Sequence, residues 1–118
     1  MVVILTGKTF VYLKNFDDKW DGLELTDDDL IPLEKYLSEN PNAGKVIQGT
    51  GGLRKVRWAL PDTGKSSGVR ILYLDIVIKE RIYMIDLFAK SEKENLTKEE
   101  KNNMKKLVNE LKGENRNG

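Results

Sequence analysis

Residues 69–89 read VRILYLDIVIKERIYMIDLFA, and no other stretch of the chain restricts the fold as much. Residues 69–78 are apolar on both faces and rich in β-branched side chains, the pattern of a central strand rather than a half-exposed one. Residues 82–89 repeat that pattern. Lys79-Glu80 is then the tight connection between the two, although it lacks the glycine or asparagine that a two-residue hairpin favours. One shorter strand precedes them. Residues 53–59 alternate, with Lys55 and Arg57 on one face and Val56 and Trp58 on the other.

Upstream, residues 2–5 (VVIL) read as a short buried strand. Phe10, Leu13 and Phe16 recur at helical spacing, so a first helix is expected over residues 8–17, broken by DDKWDG. Thr26 followed by Asp27, Asp28 and Asp29 marks a helix start, acids being favourable at the positive end of the helix dipole. Leu30, Leu33 and Leu37 line one face of that second helix. Pro32 either lies in the first turn of a helix beginning near Asp29 or kinks one beginning at Asp27. Asn40-Pro41-Asn42 with Gly44 ends it. The last helix carries a Thr97/Glu100 capping box, and Met104, Leu107, Val108 and Leu111 follow at i, i+3, i+4, i+7. The expected fold class is α+β: a small antiparallel-rich sheet with helices packed on one side, in the order β-α-α-β-β-β-α. The 118 residues suit one domain with a small core, and no apolar run approaches the roughly 20 residues that span a bilayer. The N-terminal MVVILTGKTF has neither a basic leading region nor a small-residue cleavage site, so no signal peptide is read and the cytoplasm is the expected location.

The chain has no cysteine and no histidine, which excludes thiol chemistry and disulfides and leaves carboxylates alone for any zinc site. No metal or cofactor is expected. The net charge of +1 conceals an asymmetry. Residues 14–43 hold nine acids against Lys14, Lys19 and Lys35, a net of −6, whereas residues 44–70 hold Lys45, Arg54, Lys55, Arg57, Lys65 and Arg70 against Asp62, a net of +5. The acidic stretch from Asp17 to Asp29 either repels nucleic acid from the wrong face or meets a basic partner. If residues 53–59 pair with 69–78 as a hairpin, Arg70 lies close to Arg57. Like charges set that near repel each other, and an anionic partner is the economical explanation. Lys90, at the end of the last strand, joins them if that end of the sheet lies beside Arg70.

Two glycine-containing motifs need placing. ALPDTGKS at 59–66 satisfies a relaxed phosphate-loop pattern, but such a loop needs a helix after it, and here a strand follows. It reads as a hairpin loop instead. GTGG at 49–52 is either a backbone cradle for phosphate or a plain turn into the next strand. Trp58 and Tyr73 are aromatic candidates for stacking on a base, with the core as the alternative for both and the preferred place for Trp58. A cationic cluster on a sheet suits RNA binding, and it also suits one kind of catalysis. RNA carries its own nucleophile, the 2′-hydroxyl, so cleavage through a cyclic phosphate needs only a base, stabilisation of the phosphorane charge and a proton for the leaving oxygen. Clustered arginine supplies the second requirement, and a lysine among other cations can supply the first.

VIQGTGGLRKVR at 46–57, GKSSGVRILY at 64–73 and AKSEKENLT at 89–97 together resemble the HigB-type branch of the RelE/ParE toxin superfamily, over roughly residues 25–112. The resemblance implies a curved antiparallel sheet flanked by helices, of microbial ribonuclease shape, in a single toxin domain over 1–112 with a disordered tail at 113–118. It implies a toxin of a type II toxin-antitoxin system that arrests translation by metal-independent cleavage of mRNA, usually in the ribosomal A site. The implied partners are a cognate antitoxin, expected to be a helix-turn-helix protein, and operator DNA bound through the toxin-antitoxin complex. By the same resemblance Arg70 contacts the scissile phosphate, Lys55 and Arg57 position RNA, and Lys90 assists proton transfer. Lys65 is a further contact to RNA backbone, and Arg54 is either another or, since alternation places it on the opposite face from Lys55, a structural residue; Tyr73 is the stacking candidate named above. Relatives carry another arginine after the Lys90 position and a tyrosine in the terminal segment. Here Ser91 and Glu92, then Asn95-Leu96-Thr97, stand in those regions, which leaves the general base and acid open, with Lys90 or Glu92 as substitutes. The rival functions are a ParE-like inhibitor of DNA gyrase and a non-enzymatic module that binds nucleic acid or antitoxin.

Overall fold

The computed structural model describes residues 2–5, 7–60 and 68–113. Six strands form one sheet: β1 (Val2–Leu5), β2 (Lys8–Tyr12), β3 (Lys45–Val46), β4 (Arg54–Trp58), β5 (Val69–Ile76) and β6 (Arg81–Ala89). Three helices accompany them: α1 (Lys14–Gly22), α2 (Ile31–Glu39) and α3 (Lys98–Gly113). The spatial order is β1-β2-β6-β5-β4-β3. β2 runs parallel to β6 and every other pair is antiparallel. The α+β class and the central place of β5 and β6 are as the sequence predicts.

The helices lie on both faces of the sheet, not on one. Phe10, Phe16, Trp20, Leu33, Leu37 and Tyr73 belong to the core under α1 and α2. Leu53, Leu72, Leu74, Ile85, Val108 and Leu111 belong to a second core under α3. This two-sided cover is the physical reason that β5 and β6 are apolar on both faces. The register between β5 and β6 skips Ile85, since Leu72 faces Asp86 while Tyr73 faces Met84, a bulge that bends the centre of the sheet.

The helix expected over residues 8–17 is a strand followed by a helix. Phe10 and Tyr12 are buried while Thr9 and Val11 are only half-buried, the period of a strand, and Phe16 and Trp20 then bury one face of α1. DDKWDG therefore continues α1 rather than breaking it. Farther along, the Thr26 N–H donates to Asp29 Oδ2 at 2.9 Å, a single 3-10 turn covers Asp27–Leu30, and Pro32 falls in the first turn of α2, where its missing N–H is harmless. The capping box of α3 is formed: Thr97 N–H donates to Glu100 Oε1 at 2.8 Å, and Glu100 N–H to Thr97 Oγ1 at 3.1 Å. The link between β5 and β6 is a 3-10 turn over Val77–Lys79, with Glu80 at φ +52° taking the conformation usually left to glycine. Of the expected tail, Gly113 closes α3 and residues 114–118 lie outside the described residues. Among the described residues no helix is long and apolar enough to cross a membrane.

Candidate nucleic-acid cleft

The hairpin expected from the sequence is formed, and its register assembles the site. Arg57 stands opposite Arg70, and Lys55 opposite Leu72. Leu72 packs under α3, so the pleat carries Lys55, Arg57 and Arg70 to that same face. Gly68 makes the pairing possible. A Cβ there would lie 2.6 Å from the Trp58 carbonyl oxygen, so the glycine two residues before Arg70 is required by the closeness of the two strands.

The segment that leads into α3 returns over these cations. Between it and β4–β5 lies a cleft of about 600 Å³ lined by Lys45, Lys55, Arg57, Arg70, Glu94 and Asn95, with Ala43 and Val56 beneath them. The Arg70 side chain is only 4% exposed, and its Nη2 donates to Glu94 Oε1 at 3.0 Å. An arginine so enclosed needs a counter-charge, and Glu94 supplies it. Lys55 Nζ donates to the Glu94 carbonyl at 2.9 Å and to Asn95 Oδ1 at 3.0 Å. Arg57 projects into solvent at the rim. Four cations thus face one carboxylate, and the cleft carries a positive field open to an anionic ligand.

Two predicted contact residues serve another purpose. Tyr73 is wholly buried on the opposite face of the sheet, so it cannot stack on a base. Its hydroxyl donates to the Pro41 carbonyl at 2.8 Å and accepts the Gly44 N–H at 2.9 Å, and burial pushes the phenol above its usual range. Arg54, on the same face, donates through Nη1 to the Gly44 carbonyl at 2.6 Å. Together they latch the 41–44 segment against the sheet, which delivers Ala43 and Lys45 to the cleft. Tyr73 is therefore not available to RNA, and Arg54, half-buried, has Nη1 committed to the main chain. Trp58 packs against Tyr36 with ring centroids 5.6 Å apart, at the border of the core.

Lys90 lies just past β6 with its side chain exposed; its N–H donates to the Gly68 carbonyl at 3.3 Å, and it does not line the cleft. Glu92 accepts the Ala89 N–H at 2.9 Å and closes the turn after β6. Lys65 falls within residues 61–67, outside the described residues. The strand that begins at Val69, β5, stands where a phosphate loop would need a helix, which removes that alternative. The GTGG segment forms the turn that leads into β4, tied down by side chains. Thr50 Oγ1 donates to the Ile47 carbonyl, Lys112 Nζ to the Gly51 carbonyl, and Gly51 lies against Val108 of α3. Glu94, Asn95 and Lys45 are the cleft residues that the sequence left unmarked.

By fold and site, this is a small α+β protein with a histidine-free cationic cleft whose chemistry suits a polyanion. The chain matches the family model of the RelE toxin of the RelE/RelB toxin-antitoxin system over residues 9–117, and it belongs to that family. Among solved structures it is similar to the intact E. coli RelBE toxin-antitoxin complex, at 20% identity and a TM-score of 0.45, over 66% of this chain and 90% of the matched one. It is also similar to E. coli toxin RelE carrying two arginine-to-alanine substitutions, in the free state, at 20% identity and a TM-score of 0.45, over 66% of this chain and 78% of that one.

Proposed function

We propose that the chain is the HigB-type toxin of a type II toxin-antitoxin system and cuts mRNA on the ribosome. The supporting observation is the convergence of Lys55, Arg57 and Arg70 from two paired strands on one open cleft. Arg70 stabilises the charge that develops on the scissile phosphate, since its planar fork suits two phosphate oxygens. Lys55 and Arg57 hold the flanking backbone. The 2′-hydroxyl attacks the adjacent phosphorus and the bond to the 5′-oxygen breaks, leaving a cyclic phosphate and a free 5′-hydroxyl. The chemistry of the first step draws its nucleophile from the substrate. Membership of the RelE family supports a cognate antitoxin as partner, operator DNA as a ligand of the complex, and action in the cytoplasm.

The test is to induce the protein and map mRNA 5′ ends by primer extension. New ends within translated codons, lost in Arg70→Ala, are the expected result. Growth arrest with intact mRNA, accompanied by DNA breaks at gyrase sites, would overturn the reading.

A further inference from the structure

We propose that Glu94 is the general base of this cleft, an assignment that rests on the ribonuclease reading above. Among the described residues that line the cleft it is the one carboxylate, and the chain has no histidine to take its place. Its Oε1 lies 3.0 Å from Arg70 Nη2. A base for the 2′-hydroxyl must reach the ribose next to the phosphate that Arg70 would hold, and Glu94 is the carboxylate in contact with Arg70. Its exposure differs sharply from that of its partner: the Glu94 side chain is 53% exposed, the Arg70 side chain 4%. The guanidinium is fixed in the wall, whereas the carboxylate rests on the wet rim, able to yield Arg70 to a phosphate and turn to the ribose. The main chain beneath it stays in place, because Lys55 Nζ holds the Glu94 carbonyl and the Asn95 side chain.

The step balances without a co-reactant. Glu94 takes the proton of the 2′-hydroxyl as the 2′-oxygen bonds to phosphorus. The bond from phosphorus to the 5′-oxygen breaks, and that oxygen leaves with the electron pair and takes a proton from water. Afterwards Glu94 returns its proton to water.

The experiment is single-turnover cleavage of mRNA on programmed ribosomes by the purified wild type, Glu94→Gln, Glu94→Asp and Arg70→Ala, from acid to neutral pH. Glu94→Gln is expected to cut about 100-fold or more slowly with ribosome binding unchanged, and to lose the rise of rate with pH that a titrating base imposes. Glu94→Asp, which keeps a carboxylate, should recover part of the rate and the pH dependence. If Glu94→Gln cuts as fast as wild type, or faster, the carboxylate is only a counter-ion for Arg70 and the assignment is wrong. In that event an inactive Arg70→Ala beside an active wild type leaves the ribonuclease reading standing. A wild type that fails to cut removes both.

Discussion

Arg57 and Arg70 face each other across the β4–β5 ladder, two like charges on one side of an antiparallel pair. Directly opposed like charges weaken a sheet, and a cross-strand pair is worth about 0.2–1 kcal/mol either way. The arrangement therefore opposes stability and favours an anion. Replacing Arg57 by threonine, a good strand former, is expected to leave the protein as stable or more stable, by a fraction of that range, while weakening RNA cleavage. Urea denaturation beside the ribosomal assay checks both halves. A loss of more than about 1 kcal/mol would show that Arg57 supports the fold instead.

Arg70 should tolerate no substitute. Arg70→Ala removes the group proposed to stabilise the phosphorane, a type of donor whose loss costs about 100–1,000-fold in rate. Arg70→Lys keeps the charge but not the planar fork, and should recover little. Both variants should still bind antitoxin. Growth arrest on induction, with antitoxin co-purification as the control, reads the outcome. Full toxicity in Arg70→Lys would reduce the role of Arg70 to a simple point charge.

The sequence discloses the cations of the site and hides their counter-ion, for a reason of range. Strand alternation and a single hairpin pairing bring Lys55, Arg57 and Arg70 together, and both are local patterns. Glu94 lies 24 residues from Arg70 and 39 from Lys55, in a mixed-charge turn that resembles any solvated loop until the return of the chain over the sheet is known. The fold divides in the same way. The apolar runs of β5 and β6 declare central strands, but β2 pairs in parallel with a strand some 70 residues away, and Phe10, Leu13 and Phe16 fall by coincidence on a helical spacing. Alternation likewise placed Arg54 opposite Lys55, but not its bond to the Gly44 carbonyl, which depends on where the 41–44 segment docks.

That docking gives a prediction remote from the cations. Tyr73→Phe keeps the ring in the core and deletes the hydroxyl that accepts the Gly44 N–H and donates to the Pro41 carbonyl. A buried donor left without a partner costs about 1–3 kcal/mol. The variant should lose stability in that range in urea, and the amide of Gly44 should exchange hydrogen faster than in wild type. Cleavage should fall less than in Arg70→Ala, because Lys45 loses its anchorage and the catalytic cluster does not. Unchanged exchange at Gly44 would show that the latch is held by Arg54 alone.

The last prediction concerns the same core, under α2. Tyr12 donates its hydroxyl to Glu34 Oε2 in a buried contact beneath α2. Burial, with Asp27 nearby, pushes the Glu34 carboxyl above its ordinary value of 4.5, outweighing the Tyr12 hydrogen bond that lowers it. Burial and the same carboxylate push the Tyr12 phenol well above its ordinary range. Both groups hold their protons more tightly folded than unfolded. Between the ordinary carboxyl value and the raised one the folded state binds the extra proton, so stability is greatest below that window and declines as pH rises through it. A second decline begins where the unfolded tyrosine ionises and the folded one does not. Glu34→Gln retains an acceptor for Tyr12 and removes the titration, so urea midpoints measured from acid to alkaline pH should lose the first decline and keep the second. If the slope above the ordinary carboxyl value is the same in Glu34→Gln as in wild type, the proton is taken up elsewhere in the fold.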